Sequence, residues 1–155
     1  MKSHSIIQLE PAFAQESCQS ITATLPAWFG QPSANERYAS GVRERISFGV
    51  VAHEKCVGMV AIEFPFPNNG NLYWMAVARE YHGQGVGRSL LAAAEEFVKK
   101  CGCQSLTVET LSPKEADENY LKTYNFYTQG GFLPLFELYT YGPDLRMVYL
   151  YKSLR

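Results

Sequence analysis

The residues best suited to chemistry gather in Tyr81-His82-Gly83-Gln84-Gly85-Val86-Gly87-Arg88. Three glycines alternate over five positions, an entropically costly choice for a plain turn. Glycine is needed where a backbone must turn through positive φ or let a phosphate approach closely. The stretch lies between a strand-like run and an amphipathic helical run, so its N–H groups open at a helix start. Unpaired donors there, with the helix dipole behind them, bind anions. His82 and Arg88 add positive charge beside them. A P-loop is excluded because no Gly-Lys-Ser/Thr follows. A dinucleotide fingerprint is excluded because Arg88 stands where its third glycine belongs, after strands that form a meander. A glycine turn without a ligand is the remaining alternative.

Around this loop, periodicity predicts an α/β chain in the order α-α-β-β-β-α-β-α-β-β. Phe13, Ala14, Cys18, Ile21 and Leu25 recur at helical spacing from Pro11 to Leu25, before Pro26 and Gly30 break the pattern. Ser33 and Glu36 form a capping box for a second helix through Glu44. Ile46–Ala52, Cys56–Phe64 and Leu72–Ala78 read as a three-strand meander. Alternation places Val57, Met59, Ala61 and Glu63 on one face of its middle strand. A His53-Glu54-Lys55 turn and a Pro65–Gly70 loop separate these strands. After the glycine loop, Val86, Leu90, Leu91, Ala94, Phe97, Val98 and Cys101 line one helical face that Gly102 stops. Ser105–Thr110 reads as a strand, Glu118–Gln129 as a helix, and Phe132–Tyr139 with Leu145–Leu150 as two closing strands. Mixed strand and helix runs of this kind indicate a mixed α/β sandwich rather than a doubly wound sheet.

Composition narrows the function. At 155 residues, with 46% hydrophobic and 19% charged side chains, the chain is expected to form a single globular domain over 1–155. Its 14 basic and 15 acidic residues leave a net charge of -1, which offers no footprint for nucleic acid or an anionic membrane. No apolar run reaches the roughly 18 residues of a membrane span, and the Ile6-Ile7 patch is too short for a signal peptide. A cytosolic protein with reduced Cys18, Cys56, Cys101 and Cys103 is therefore expected. Cys101-Gly-Cys103 lacks a second pair or a nearby His, so no metal site is expected. The 10 Tyr, 9 Phe and 2 Trp suit an aromatic-lined site.

His82-Gly83-Gln84-Gly85-Val86-Gly87 resembles the pyrophosphate loop Arg/Gln-x-x-Gly-x-Gly/Ala of the GNAT superfamily of N-acetyltransferases, departing from it only at His82. Phe126-Tyr127-Thr128-Gln129-Gly130-Gly131-Phe132 is similar to the family's Phe-Tyr-x-x-x-Gly-Phe at the end of its last helix. Two motifs in order, about 40 residues apart, are far more specific than either alone, and the resemblance covers Ile46 to Leu150. It implies a mostly antiparallel central sheet flanked by helices, with the opening helices on the acceptor side. It also implies transfer of an acetyl group from acetyl-coenzyme A to a primary amine of a small molecule or peptide, by direct attack in a ternary complex. No cysteine sits in either motif, as expected without an acyl-enzyme.

The resemblance assigns cofactor contacts to Met75, Ala76 and Val77 on the fourth strand of the family, and to His82, Gly83, Gln84, Gly85, Val86, Gly87, Arg88 and Ser89 around the loop. Asn119 is a candidate for the pantetheine amides, or else a helix cap. Tyr127, otherwise a core aromatic, becomes the proton donor to the leaving thiolate and a further cofactor contact. With His82 in place of Arg or Gln, one phosphate contact becomes pH-sensitive. Asn71, Leu72 and Tyr73 occupy the zone where some members carry a catalytic carboxylate. Glu63 and Glu109 are then the candidate bases, each with the alternative of a paired strand carboxylate, and a water chain is favoured over both. Trp28 and Phe29 form either an acceptor-side wall or core packing. A homodimer fits this reading, as does a non-catalytic acyl-coenzyme A sensor that keeps the loop without turnover.

Overall fold

Glu10 starts the first helix: its carboxylate accepts from the N–H groups of Ala12 (3.2 Å) and Phe13 (3.4 Å). Pro11 fills the first helical position, where no N–H is required. In this computed structural model, which describes residues 4–155, the helix α1 spans Pro11–Ala23 and is followed by α2, Pro32–Arg43. The strands are β1 (Ile7–Gln8), β2 (Ile46–Ala52), β3 (Lys55–Phe66), β4 (Asn69–Val77), β5 (Ser105–Leu111), β6 (Leu133–Leu138) and β7 (Met147–Ser153). A single 3-10 turn, Arg79–Tyr81, precedes α3 (Val86–Lys100), and α4 spans Glu118–Gln129. The expected order holds, with β1 added in front. That two-residue strand is too short to show periodicity, and it exists because Ile7 and Gln8 pair with Gly49 and Phe48.

The chain divides into two compact units. The first takes the residues up to Glu63 with Leu72–Phe97; the second takes Phe64–Asn71 with Val98–Arg155. In the first, strands follow the order β1-β2-β3-β4, and β1–β2 and β2–β3 are antiparallel. His53 and Glu54 both have positive φ (51° and 66°) between the paired Ala52 and Lys55. This is the backbone of a type I′ turn, whose twist matches the strands it joins.

Val50 pairs with Gly58 and Val51 with Cys56, so Val57 is an extra residue in β3. The bulge corrects the expected alternation, since one inserted residue moves the next side chain to the other face. Cys56, not Val57, joins Met59 and Ala61 in the core cluster beneath the opening helices. Ala14, Cys18, Ile21 and Leu25 bring the α1 stripe to that cluster, and Ala39, Val42 and Trp74 complete it. The start of α2 is also corrected. Pro32 begins the helix, and Gln31 caps it without a side-chain bond, leaving Ser33 inside the first turn rather than at the cap.

In the second unit the order is β5-β7-β6, antiparallel throughout. The expected Pro65–Gly70 loop shrinks to Pro67 and Asn68, because β3 runs on to Phe66 and β4 begins at Asn69. Local turn signals are overridden by long-range bonds: Gln104 N–H donates to Asn68 O (2.9 Å) and Ser105 Oγ to Asn69 Oδ1 (2.8 Å). Gly70 is required for packing, since a Cβ there would lie 2.7 Å from both Cγ atoms of Val98. Gly102, at φ 86°, ends α3 as expected, with Cys103 N–H reaching back to Val98 O (3.2 Å).

Candidate active site

The first unit builds the glycine loop from the end of β4. Ala78 N–H donates to Val57 O (2.8 Å) in the β3 bulge, and the chain then turns through Arg79–Tyr81. Gly83 (φ 75°) and Gly85 (φ 84°) both occupy the left-handed region, where a side chain is strained. Nothing lies within 4 Å of a Cβ built on Gly83, so φ rather than space demands glycine there. Ser89 N–H donates to Gly85 O (3.1 Å), the bond that opens α3. The N–H groups of Val86, Gly87 and Arg88 therefore precede any carbonyl the helix could offer them. This is the donor arrangement a pyrophosphate fits.

Side chains fasten the loop from behind. His82 Nε2 donates to Val77 O (2.7 Å), and the His82 ring meets the Trp28 ring edge-on at 5.7 Å. Gln84 Nε2 donates to Glu80 O (3.1 Å). His4, which no sequence motif signals, donates from Nε2 to Gln84 O (2.8 Å), and its own N–H reaches Ser89 Oγ (3.3 Å). Met75, Ala76 and Val77 are half-buried between buried Trp74 and Ala78, so this stretch of β4 keeps access to solvent.

The α1–α2 connection and α2 add an aromatic wall to the same unit. Phe29 lies 5.5 Å from Trp74, and Tyr38 lies 5.5 Å from Tyr73. Trp74 lies in the core cluster and Tyr73 packs against it. Arg45 stacks its guanidinium 3.6 Å over the Tyr73 ring, donates to Gly41 O (2.7 Å) and pairs with Glu63 Oε1 (3.1 Å). Burial raises the Tyr73 pKa, with Arg45 opposing it. Glu63, a candidate base, is thus an ion-pair partner.

The second unit holds Tyr127, Asn119 and Glu109. Tyr127 is the buried residue of α4, 6% exposed, between the rings of Phe126 (5.3 Å) and Phe132 (5.7 Å). Burial alone pushes its pKa well above the ordinary phenol value, so it carries its proton at neutral pH. Asp117 caps α4 by accepting from Tyr120 N–H (2.9 Å), which leaves half-buried Asn119 on the first turn with no capping duty. Glu109 sits in a separate group: Thr140 Oγ1 donates to its Oε2 (2.5 Å) and Tyr141 OH to its Oε1 (3.4 Å). Cys18 is pushed up to about 12 by burial, and Cys56 and Cys103 are raised for the same reason. These three thiols are poor nucleophiles. Among the described residues, no group of three His, Cys, Asp or Glu could hold a metal ion, and no helix is long and apolar enough to cross a membrane.

Residues 11–132 match the family described as acetyltransferase (GNAT) family, and the chain belongs to it. It is therefore an acyltransferase in class. It is 26% identical over 158 residues to N-alpha-acetyltransferase 30 of Schizosaccharomyces pombe, covering 96% of this chain and 99% of that protein. The fold is similar to a GNAT-family structure from Desulfovibrio desulfuricans (TM-score 0.83, 17% identity, 97% of this chain and 99% of the other). It is also similar to the ribosomal-protein-S18-alanine N-acetyltransferase of Escherichia coli (TM-score 0.76, 19% identity, 97% and 93%). An aminoglycoside 6'-N-acetyltransferase complexed with coenzyme A matches with TM-score 0.74 and 17% identity over 97% of each chain.

Proposed function

We propose that the chain works as one acetyltransferase domain that moves an acetyl group from acetyl-coenzyme A to a primary amine, by direct attack in a ternary complex. The observation that carries this reading is the pair of left-handed glycines, Gly83 and Gly85, opening into the N-terminus of α3. In this role the N–H groups of Gly85, Val86, Gly87 and Arg88 hold the pyrophosphate, with Arg88 and Ser89 beside it. Met75–Val77 lines the pantetheine arm and supplies a backbone N–H for the developing oxyanion. Asn119 binds a pantetheine amide. When bound, acetyl-coenzyme A supplies the acyl group as a thioester with a weakly basic thiolate to leave. Tyr127 gives that thiolate a proton, and its burial keeps the proton in place until then.

The acceptor must lose a proton before it attacks. Glu63 and Glu109 are each engaged, by Arg45 and by Thr140 with Tyr141, which supports removal of that proton through water. Without a dedicated carboxylate, an acceptor of low pKa is favoured. At pH 7 about one α-amino group in ten is neutral, against roughly one alkyl amine in 10³. A peptide amino terminus is therefore the proposed acceptor, in keeping with the name of the fission-yeast relative. The test is release of coenzyme A from acetyl-coenzyme A with a panel of peptides, lysine analogues and aminoglycosides. Turnover fastest with peptide α-amines supports the reading. Tight coenzyme A binding without turnover on any amine would establish the non-catalytic sensor instead.

A further inference from the structure

We propose that His4 is a positioning residue for the glycine loop, holding the Gln84–Gly85 peptide so that the Gly85 N–H faces the pyrophosphate. This rests on the reading of the loop given under Proposed function. Gln84 O can only accept, so His4 Nε2, 2.8 Å away, carries a proton and donates to it. The chain contains no cis peptide among its described residues. In a trans peptide the C=O and the following N–H point in opposite directions. Drawing the Gln84 carbonyl toward His4 therefore turns the Gly85 N–H to the other side of the loop.

The loop needs such a hold. The peptide is oriented by ψ of Gln84 and φ of Gly85, and because glycine accepts positive and negative φ almost equally, Gly85 gives it little intrinsic reason to keep one orientation. The side chains of His82 and Gln84 fasten themselves to Val77 O and Glu80 O, upstream of that peptide. His4 bonds to the peptide itself, and its backbone N–H joins Ser89 Oγ on the first turn of α3. Loop and helix are thus bridged by one residue. The segment that delivers His4 is fixed close by: Ile7 pairs with Gly49, and Leu9 N–H donates to Ser47 O (2.8 Å).

The experiment compares His4→Ala and His4→Gln with the wild type by calorimetry with coenzyme A. The same proteins are assayed for KM and kcat with acetyl-coenzyme A and with acetyl-pantetheine, which lacks the pyrophosphate. Loss of one oriented hydrogen bond is expected to weaken coenzyme A about three- to tenfold in His4→Ala. KM for acetyl-coenzyme A should rise in step, while acetyl-pantetheine kinetics stay unchanged. His4→Gln, which retains an N–H donor, should recover most of the loss. An unchanged coenzyme A Kd in His4→Ala, or an equal loss with both donors, overturns the positioning role. Failure of the wild type to bind coenzyme A in the same calorimeter overturns the reading of the loop, and the role of His4 with it.

Discussion

Replacing Gly85 by aspartate attacks the loop through two separable effects. The native φ of 84° is left-handed, and a residue with a Cβ is strained there by about 1–2 kcal/mol. The carboxylate then adds like charge beside a pyrophosphate. A pair of unit charges 4 Å apart repels by about 1 kcal/mol in water and about 4 kcal/mol at an effective dielectric constant of 20. The loop is half-exposed at Gly85, so the intermediate range applies. Backbone strain and repulsion together reach about 4 kcal/mol, which corresponds to roughly a 10³-fold loss of coenzyme A affinity. Gly85→Ala carries the strain without the charge and should lose only about tenfold. Calorimetry gives both affinities, and thermal unfolding confirms that the variants are folded. A folded Gly85→Asp protein that binds coenzyme A within tenfold of wild type would refute the pyrophosphate assignment.

Tyr127→Phe keeps the ring between Phe126 and Phe132 and removes only the hydroxyl; kcat should fall by about 10²-fold with coenzyme A affinity kept. Normal kcat in a variant whose chemical step is rate-limiting would remove Tyr127 from the mechanism. Gly70→Ala should destabilise the fold by about 1–3 kcal/mol, because its Cβ would sit 2.7 Å from Val98. Thermal unfolding checks this, and Gly70→Ala with Val98→Ala should regain part of the loss; full stability in the single variant would contradict the close approach. Glu63→Gln and Glu109→Gln should each lower kcat/KM by less than tenfold with an identified acceptor. A loss of 10²–10⁴-fold in either, typical of a general base, would show that the carboxylate takes the proton directly.

Long amphipathic runs and the glycine loop were legible in the sequence because each is a local pattern with one physical cause. The α1 stripe at Ala14, Cys18, Ile21 and Leu25 reaches the core as its spacing requires. Gly83 and Gly85 take positive φ, as a tight glycine turn demands. What failed was set by distant partners. The Val57 bulge appears only in the pairing of β2 with β3, and it moves Cys56 onto the face expected for Val57. The Pro67-Asn68 turn is short because Gln104 and Ser105 bind its flanks from 36 residues away in the Ser105–Asn69 case. Ser33 lost the cap to Gln31 because Pro32, whose fixed φ suits the first turn, starts the helix one residue before Ser33. His4 and Arg45 escaped notice for the same reason: His4 acts on Gln84 and Ser89, and Arg45 on Glu63 and Tyr73, residues that no sequence window joins to them.

Arg45 bears most directly on the proton path. It holds the Gly41 carbonyl, the Tyr73 ring and the Glu63 carboxylate at once. The Arg45–Glu63 side chains are 26% and 29% exposed, which places the pair at a partly dried surface rather than in free solvent. Were Glu63 to accept a proton from substrate, its charge would vanish and the guanidinium would lose its counter-ion while still over Tyr73. Breaking one member of a desolvated pair costs more than an exposed bridge contributes, because a charge is left behind without its partner. Glu109 carries a parallel constraint, since Thr140 and Tyr141 both donate to it. A carboxylate that organises its surroundings through its charge is poorly placed to give that charge up in every turnover. A water relay, as proposed, would leave both clusters undisturbed, and on that path the acceptor's own pKa, rather than a protein base, would be the main control on which amine is acetylated.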